Sequence, residues 1–442
     1  MKTFLTTIKI FIFIIAVFSI QLDCVANKGN IHIEPQFKQP FMTGLDVLLE
    51  RDCSHLKGKK VGLITNQTGV TSNMVHNIDA LTKSENVDLK AIFSPEHGLF
   101  GSASAGEKIY NKTDSIYGIP LFSLYGNNKK PSKDMLKNLD ILVFDIQDIG
   151  IRSYTYISTM GLAMEAAQES GLEFMVLDRP NPLGLKKIEG NILSLSFKSF
   201  IGRYPIPYVH GLTSGELAKM INEQGWLEGG KCNLKIIKMK NYDRNINYND
   251  LGLHWVPTSP HVPNANTPLY MVATGIVGEL GYFSNGVGYT APFMTLGAPW
   301  INANQLAEKM NSLGLEGVIF RPVNYKPYYA NYKGDNVGGI HLHITDQDKI
   351  DLILVQFYFM QEHNKLYPSK NPFMGASETQ LKMFDKAVGN DTIRKTFEKN
   401  FKVEDIKRII KNGLDDYIIM KKQYHLYDYR IPATCFIYSV LC

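Results

Sequence analysis

Five short apolar runs, at 61–64, 91–93, 121–124, 141–144 and 174–177, constrain this chain more than anything else in it. Apart from Ser123 each is continuously apolar, as in a strand buried on both faces of a parallel sheet. Between them the period turns helical. After Tyr154, the residues Ile157, Met160, Met164 and Ala167 recur at helix spacing, and Gly171 supplies a stop. Thr43-Gly44 opens an earlier helix with Leu45, Leu48 and Leu49 on one face, and Thr213-x-x-Glu216 opens a later one. Strands alternating with helices predict an α/β fold with a Rossmann-like, doubly wound parallel sheet. A further strand is expected within 234–239.

Each run leads into polar or unusual residues. The first enters Thr65-Asn66-Gln67-Thr68-Gly69, the second Ser94-Pro95-Glu96-His97, and the third Tyr125-Gly126. The fourth enters Asp145, Asp148 and Arg152, and the fifth Asp178-Arg179-Pro180-Asn181-Pro182. In a parallel sheet the strand ends on that side share one edge, so these segments are expected to meet in space.

At 442 residues the chain is long enough for two domains. A Rossmann-like catalytic domain is expected over 43–298 and a second, smaller α/β domain over 299–442. The second reads as a helix near 304–313, strands near 317–321 and 339–344, and helical stretches near 378–388, 391–399 and 403–427. Residues 254–297, rich in Pro, Gly and aromatics, read as a long structured loop. The net charge of +5, without a basic run, argues against a nucleic-acid partner.

Lys2 and Lys9 precede an apolar run at 10–20, and Cys24-Val25-Ala26 offers small residues for cleavage, so residues 1–26 read as a signal peptide. The chain is therefore expected to be exported, periplasmic or secreted. Membrane association is expected only through that signal or through a lipid on Cys24, for which Asp23 is a poor neighbour. The five cysteines, at 24, 53, 232, 435 and 442, form neither a metal-type spacing nor a disulfide scaffold.

The stretch 91–107, AIFSPEHGLFGSASAGE, holds the leading chemical candidates. Glu96 follows a strand at an irregular turn and is the first choice for a catalytic acid or base. His97 either orients it or is a core histidine. Asp148 is the second candidate carboxylate, and Glu107 is not ranked against it. Arg152 and Arg179 each offer a fork for a substrate carboxylate, or else pair with a nearby Asp. Glu216 is accounted for by a capping box with Thr213. His210 and His261 are candidates for lining a cleft, or for a metal site with Asp145 and Asp148. No HExxH-type spacing supports the metal, and no GxGxxG supports a dinucleotide, so no cofactor is expected. No GxSxG elbow is present. Paired carboxylates in a polar cleft favour hydrolysis of a glycosidic bond.

The ordered motifs GLITNQTGV, SPEHGLFG with AGE, VFDIQDIGIRSYTYISTM, LDRPNPLG with EGN, PYVHGLTSGELA, PTSPHVPN and SNGVGYTAPF…GAPW carry a resemblance. Over about 44–427 the chain resembles the bacterial exo-β-N-acetylmuramidase family. The resemblance implies a Rossmann-like domain and a smaller C-terminal α/β domain with a cleft between them. It implies release of N-acetylmuramic acid from the non-reducing end of peptide-free peptidoglycan fragments, with Glu96 as the family's SPEHG glutamate. On the same footing Asn66, His97, Arg152, Tyr154, Asp178, Arg179, Asn181, His210, His261 and Asn264 are candidates for binding the sugar. The lactyl carboxylate gives Arg152 or Arg179 a task. The tail IPATCFIYSVLC departs from the pattern. The competing readings are a non-catalytic sugar or muropeptide receptor, and a metal-dependent hydrolase.

Overall fold

Pairing of the five runs, with two more strands, generates the larger of two sheets. The structure, a computed structural model, describes residues 40–103, 112–113 and 117–429. The expected signal segment with Cys24, the candidate Glu107, and the tail 431–442 lie outside the described residues.

The strands are β1 (Lys60–Thr65), β2 (Asp88–Ser94), β3 (Lys112–Thr113), β4 (Pro120–Ser123), β5 (Ile141–Asp145), β6 (Glu173–Leu177) and β7 (Asn233–Ile237). Their spatial order among the described residues is β3-β4-β2-β1-β5-β6-β7. All neighbours are parallel except the short β3, which runs antiparallel to β4. Taken alone, the six parallel strands follow the Rossmann order, which reverses between β1 and β5. That reversal opens a crevice at the carboxyl ends of β1 and β5, where Thr65 stands opposite Asp145.

Period-two alternation divides the apolar side chains between two cores. Val61, Leu63, Ile141, Val143 and Met175 pack on one face with Leu45 and Leu48 of α1 (Gly44–Glu50) and Ile78 of α2 (Asn77–Thr82). Ile64, Leu142, Phe144, Phe174 and Val176 pack on the other, against Ile157, Met160 and Met164. Those last three belong to α4 (Tyr156–Glu169), which follows a single-turn α3 (Lys133–Leu136). Helix α5 (Ser214–Glu223) begins at the expected capping box of Thr213 and Glu216.

The smaller sheet comprises β8 (Thr295–Ala298), β9 (Val318–Tyr325) and β10 (Val337–Ile344) in the order β8-β10-β9, all antiparallel. Its first strand ends at Ala298, so the chain enters the second sheet ahead of the boundary expected at 299. Helix α7 (Ala303–Ser312) connects β8 to β9. One continuous core runs from Ile64 and Phe93 through α4 to Leu296, Phe320 and Phe397, so both sheets share an interior.

Besides short helices such as α2 and α3, two long helices escape the sequence reading. Helix α6 (Thr267–Gly278) occupies the expected loop, and α8 (Leu352–Leu366) has no counterpart in it. Both are apolar on nearly all sides (TPLYMVATGIVG and LILVQFYFMQEHNKL), so neither shows the one-sided stripe that announces a helix. They pack together, and Gln356 of α8 clasps α6, accepting from the Val277 N–H at 2.8 Å and donating to the Val272 carbonyl at 3.1 Å. The single helical stretch expected over 403–427 is broken into Glu404–Lys411, Leu414–Lys421 and a short turn at Lys422–Tyr424. Gly413, with φ of 78°, makes the break. The chain then returns to the large sheet, where the Tyr427 hydroxyl donates to Asp178 at 2.6 Å.

Candidate active site

Strand β2 ends at Ser94, and Pro95 turns the chain out of the sheet beside the β1–β5 crevice. Glu96 follows, only 8 % exposed. The turn is completed by two left-handed residues, His97 at φ 71° and Gly98 at 77°. Gly98 adopts this without cost, whereas His97 carries strain of the kind that concentrates at functional sites. His97 Nδ1 lies 2.8 Å from the Ala103 carbonyl oxygen. A carbonyl only accepts, so Nδ1 holds a proton and donates it there.

Residues after β5 reach back to this turn. Thr155 immediately precedes α4 yet makes no side-chain cap there. Its hydroxyl donates instead to Glu96 Oε2 at 2.8 Å. Tyr154 and Tyr156 meet edge to face with centroids 4.8 Å apart. The Tyr156 hydroxyl receives the Asn66 amide at 3.0 Å and donates to the Thr258 carbonyl at 2.5 Å. Tyr154 donates to the Thr258 hydroxyl at 2.8 Å. Burial holds both phenols far above their ordinary range, and for Tyr156 the nearby Tyr154, Glu96 and Asp148 add to it. His261 completes this side: its Nε2 is 2.7 Å from the Tyr329 hydroxyl, and burial, then the neighbouring His97, lower its pKa.

Hydrogen bonds join the strand ends into one edge. The Gln147 N–H donates to Thr68 Oγ1 at 2.9 Å, and its side-chain amide donates to the Pro180 carbonyl at 2.7 Å. Leu124 N–H donates to the Ser94 carbonyl at 2.8 Å.

Other candidates are employed elsewhere. Arg152 is not available to a substrate carboxylate. It is 2 % exposed and donates to four carbonyl oxygens, those of Asn191, Ile206, Ala387 and Val388, at 2.5 to 3.2 Å. Arg179 takes the alternative of an ion pair, with Nε 2.6 Å from Asp145 Oδ1, and also donates to the Val70 carbonyl. Asp178 accepts from Thr213, Gly215 and Tyr427, and burial lifts its pKa to about 6. Asn181 bridges Leu183 N–H and the Leu212 carbonyl. His210 is 1 % exposed, and burial lowers its pKa to about 3. Asn264 is exposed and organises its own turn ahead of α6. Glu216 does more than cap its helix: it also pairs with the buried Arg244.

Asp148 stands near the tyrosine pair but faces inward. Its Oδ2 accepts from Gly150 N–H at 2.7 Å, while Oδ1 is sealed from solvent without a partner. Burial raises its pKa to about 7. Oδ1 is thus closed to water while Oδ2 is engaged by the backbone of its own turn. Among the described residues no three His, Cys, Asp or Glu side chains are grouped to hold a metal ion.

A cleft of about 770 Å³, part of it open to solvent, is lined by chain neighbours of the constellation. Ser153 lines it two residues before Thr155, and Asn331 lines it two residues after Tyr329, the partner of His261. Thr155, Tyr156 and Thr258 were not singled out from the sequence, although the hydroxyl run Ser153–Tyr156 was a visible signal.

Comparison with known proteins gives this site a context. The family models described as exo-beta-N-acetylmuramidase NamZ, N-terminal and C-terminal, match residues 61–266 and 269–427. The chain is 41% identical over 390 residues to the peptidoglycan beta-N-acetylmuramidase NamZ of Bacillus subtilis, covering 88% of this chain and 92% of that one. Two crystal structures of DUF1343-family proteins from Bacteroides fragilis are similar, each spanning 88% of this chain and 99% of its own. One has a TM-score of 0.84 at 46% identity, the other 0.70 at 30%. The chain belongs to the exo-β-N-acetylmuramidase NamZ family of glycoside hydrolases.

Proposed function

We propose that this chain hydrolyses the glycosidic bond of a non-reducing terminal N-acetylmuramic acid in peptide-free peptidoglycan fragments, with Glu96 as the proton donor. The observation that carries the assignment is the hydroxyl of Thr155, withdrawn from helix capping and aimed at the Glu96 carboxyl. In such a reaction the carboxylic acid protonates the leaving oxygen as the bond from C1 breaks, and water supplies the new hydroxyl at C1. His97 and His261 are assigned to substrate contact, and the buried Tyr154 and Asn66 to the support of that surface. Asp148 is a positioning residue beneath the tyrosine pair. The amino-terminal segment 1–26 directs export, which matches a substrate derived from the cell wall.

The test is a pair of chromogenic substrates, 4-nitrophenyl β-N-acetylmuramide and the corresponding β-N-acetylglucosaminide, which differ by the lactyl ether. Release of nitrophenol from the muramide alone supports the reading. Cleavage of both, or of neither, overturns the specificity or the reaction.

A further inference from the structure

Glu279 follows directly on α6, at the end of the helix where its backbone carbonyls concentrate negative charge. A carboxylate is the wrong charge for that position; lysine, arginine or histidine is favoured there. Its side chain has no hydrogen-bond or ion-pair partner among the described residues, and burial raises its pKa. A half-buried, unpartnered acid at the negative end of a helix is a threefold violation of local preference. Such violations mark sites where function overrides stability.

The surroundings show what the carboxyl meets. Glu279 lines the 770 Å³ cleft with Ser153, Tyr208, Asn285 and Asn331, and with apolar surface from Met271 and Phe293. Polar side chains spaced among apolar ones suit a sugar ring, which has hydroxyls at its rim and C–H faces. Ser153 donates to the Tyr208 hydroxyl at 3.1 Å and stands two residues before Thr155, which donates to Glu96. Gly275 keeps the wall low: a Cβ there would stand 3.3 Å from Met271 and 3.9 Å from the Tyr208 hydroxyl.

This inference rests on the muramidase reading. In a terminal N-acetylmuramic acid, O1 is in the glycosidic bond and O3 carries the lactyl ether. The ring's remaining hydrogen-bond donors are the N–H at C2 and the hydroxyls at C4 and C6. With C1 towards Glu96, the C4 end of the ring is directed away from it. The lactyl carboxylate repels an acid, which favours the C4–C6 edge for Glu279. We propose that Glu279 accepts hydrogen bonds from the C4 and C6 hydroxyls of the bound sugar and thereby reads the free chain end. An internal residue, whose O4 is glycosylated, has no hydrogen to donate there. The exo mode of attack then follows from one side chain.

The experiment compares 4-nitrophenyl β-N-acetylmuramide with its 4-deoxy analogue on the wild type and on Glu279→Gln. The wild type should prefer the parent by about 10- to 100-fold in kcat/KM, the worth of one hydrogen bond to a charged group. Glu279→Gln, which keeps an uncharged and weaker acceptor oxygen, should lose part of that factor on the parent and narrow the preference between the two sugars. Its Tm should not fall, because an uncompensated charge leaves the helix end. Gly275→Leu, which narrows the cleft while leaving the carboxylate in place, should raise KM for both sugars. If Glu279→Gln keeps the wild-type preference, or leaves kcat/KM on the parent unchanged, the proposal is overturned. A wild type that cleaves neither sugar overturns the muramidase reading instead, which separates the two failures.

Discussion

The Thr155 hydroxyl donates to Glu96 Oε2 at 2.8 Å across 59 positions of chain, tying the turn after β2 to the start of α4. These two segments flank the point where the strand order reverses. A rigid helix end therefore fixes the carboxyl of a loop.

Thr155→Val should lower kcat by about 10-fold or more with KM little changed, since the hydroxyl acts on the carboxyl and not on the bound sugar. The melting temperature should hold, because this side chain does not cap its helix. Steady-state kinetics beside a thermal melt checks both halves. A large drop in Tm with kcat intact would make Thr155 a structural residue only.

Asp148 predicts a stability profile with a definite sign. Its pKa is raised by burial from 3.8 to about 7, so between those values the native state holds a proton that the unfolded chain has released. Its contribution to stability is present at low pH and is lost as pH rises towards 7. Asp148→Asn, which keeps an oxygen for Gly150 N–H, should flatten that part of the profile. Urea titrations from pH 4 to 8 would show it; an unchanged slope would contradict it.

Arg152→Met leaves four buried carbonyls without their donor. It should cost about 3 kcal/mol or more in unfolding free energy, while the folded fraction keeps its KM. Urea midpoints and single-turnover kinetics provide the readouts. Unchanged stability with a raised KM would return Arg152 to the substrate.

The large sheet was legible because its strands are apolar on both faces and too short for buried helices. The convergence of strand ends followed from topology, which is why Glu96, Asn66 and Tyr154 could be gathered from distant segments. What sequence could not show was the destination of each polar side chain. Arg152 and Arg179 read as forks for an anion, yet one is spent on carbonyls contributed by Ala387 and Val388, more than 200 positions away, and the other on Asp145. Asn66 fits a glycosylation pattern but is fully buried, with its amide committed to Tyr156. Helices α6 and α8 were hidden because complete burial erases amphipathic periodicity. Glu279 was overlooked with α6, since an acid following a helix is informative only once the helix is known to be there.

The most direct test of the account is Glu96→Gln on 4-nitrophenyl β-N-acetylmuramide, with binding of N-acetylmuramic acid measured in parallel by calorimetry. Glutamine preserves the size of the side chain and its bond with Thr155 but carries no transferable proton. The account predicts loss of turnover by at least ~100-fold, with Kd for the sugar within a few-fold of wild type. Turnover retained in Glu96→Gln would contradict the central assignment.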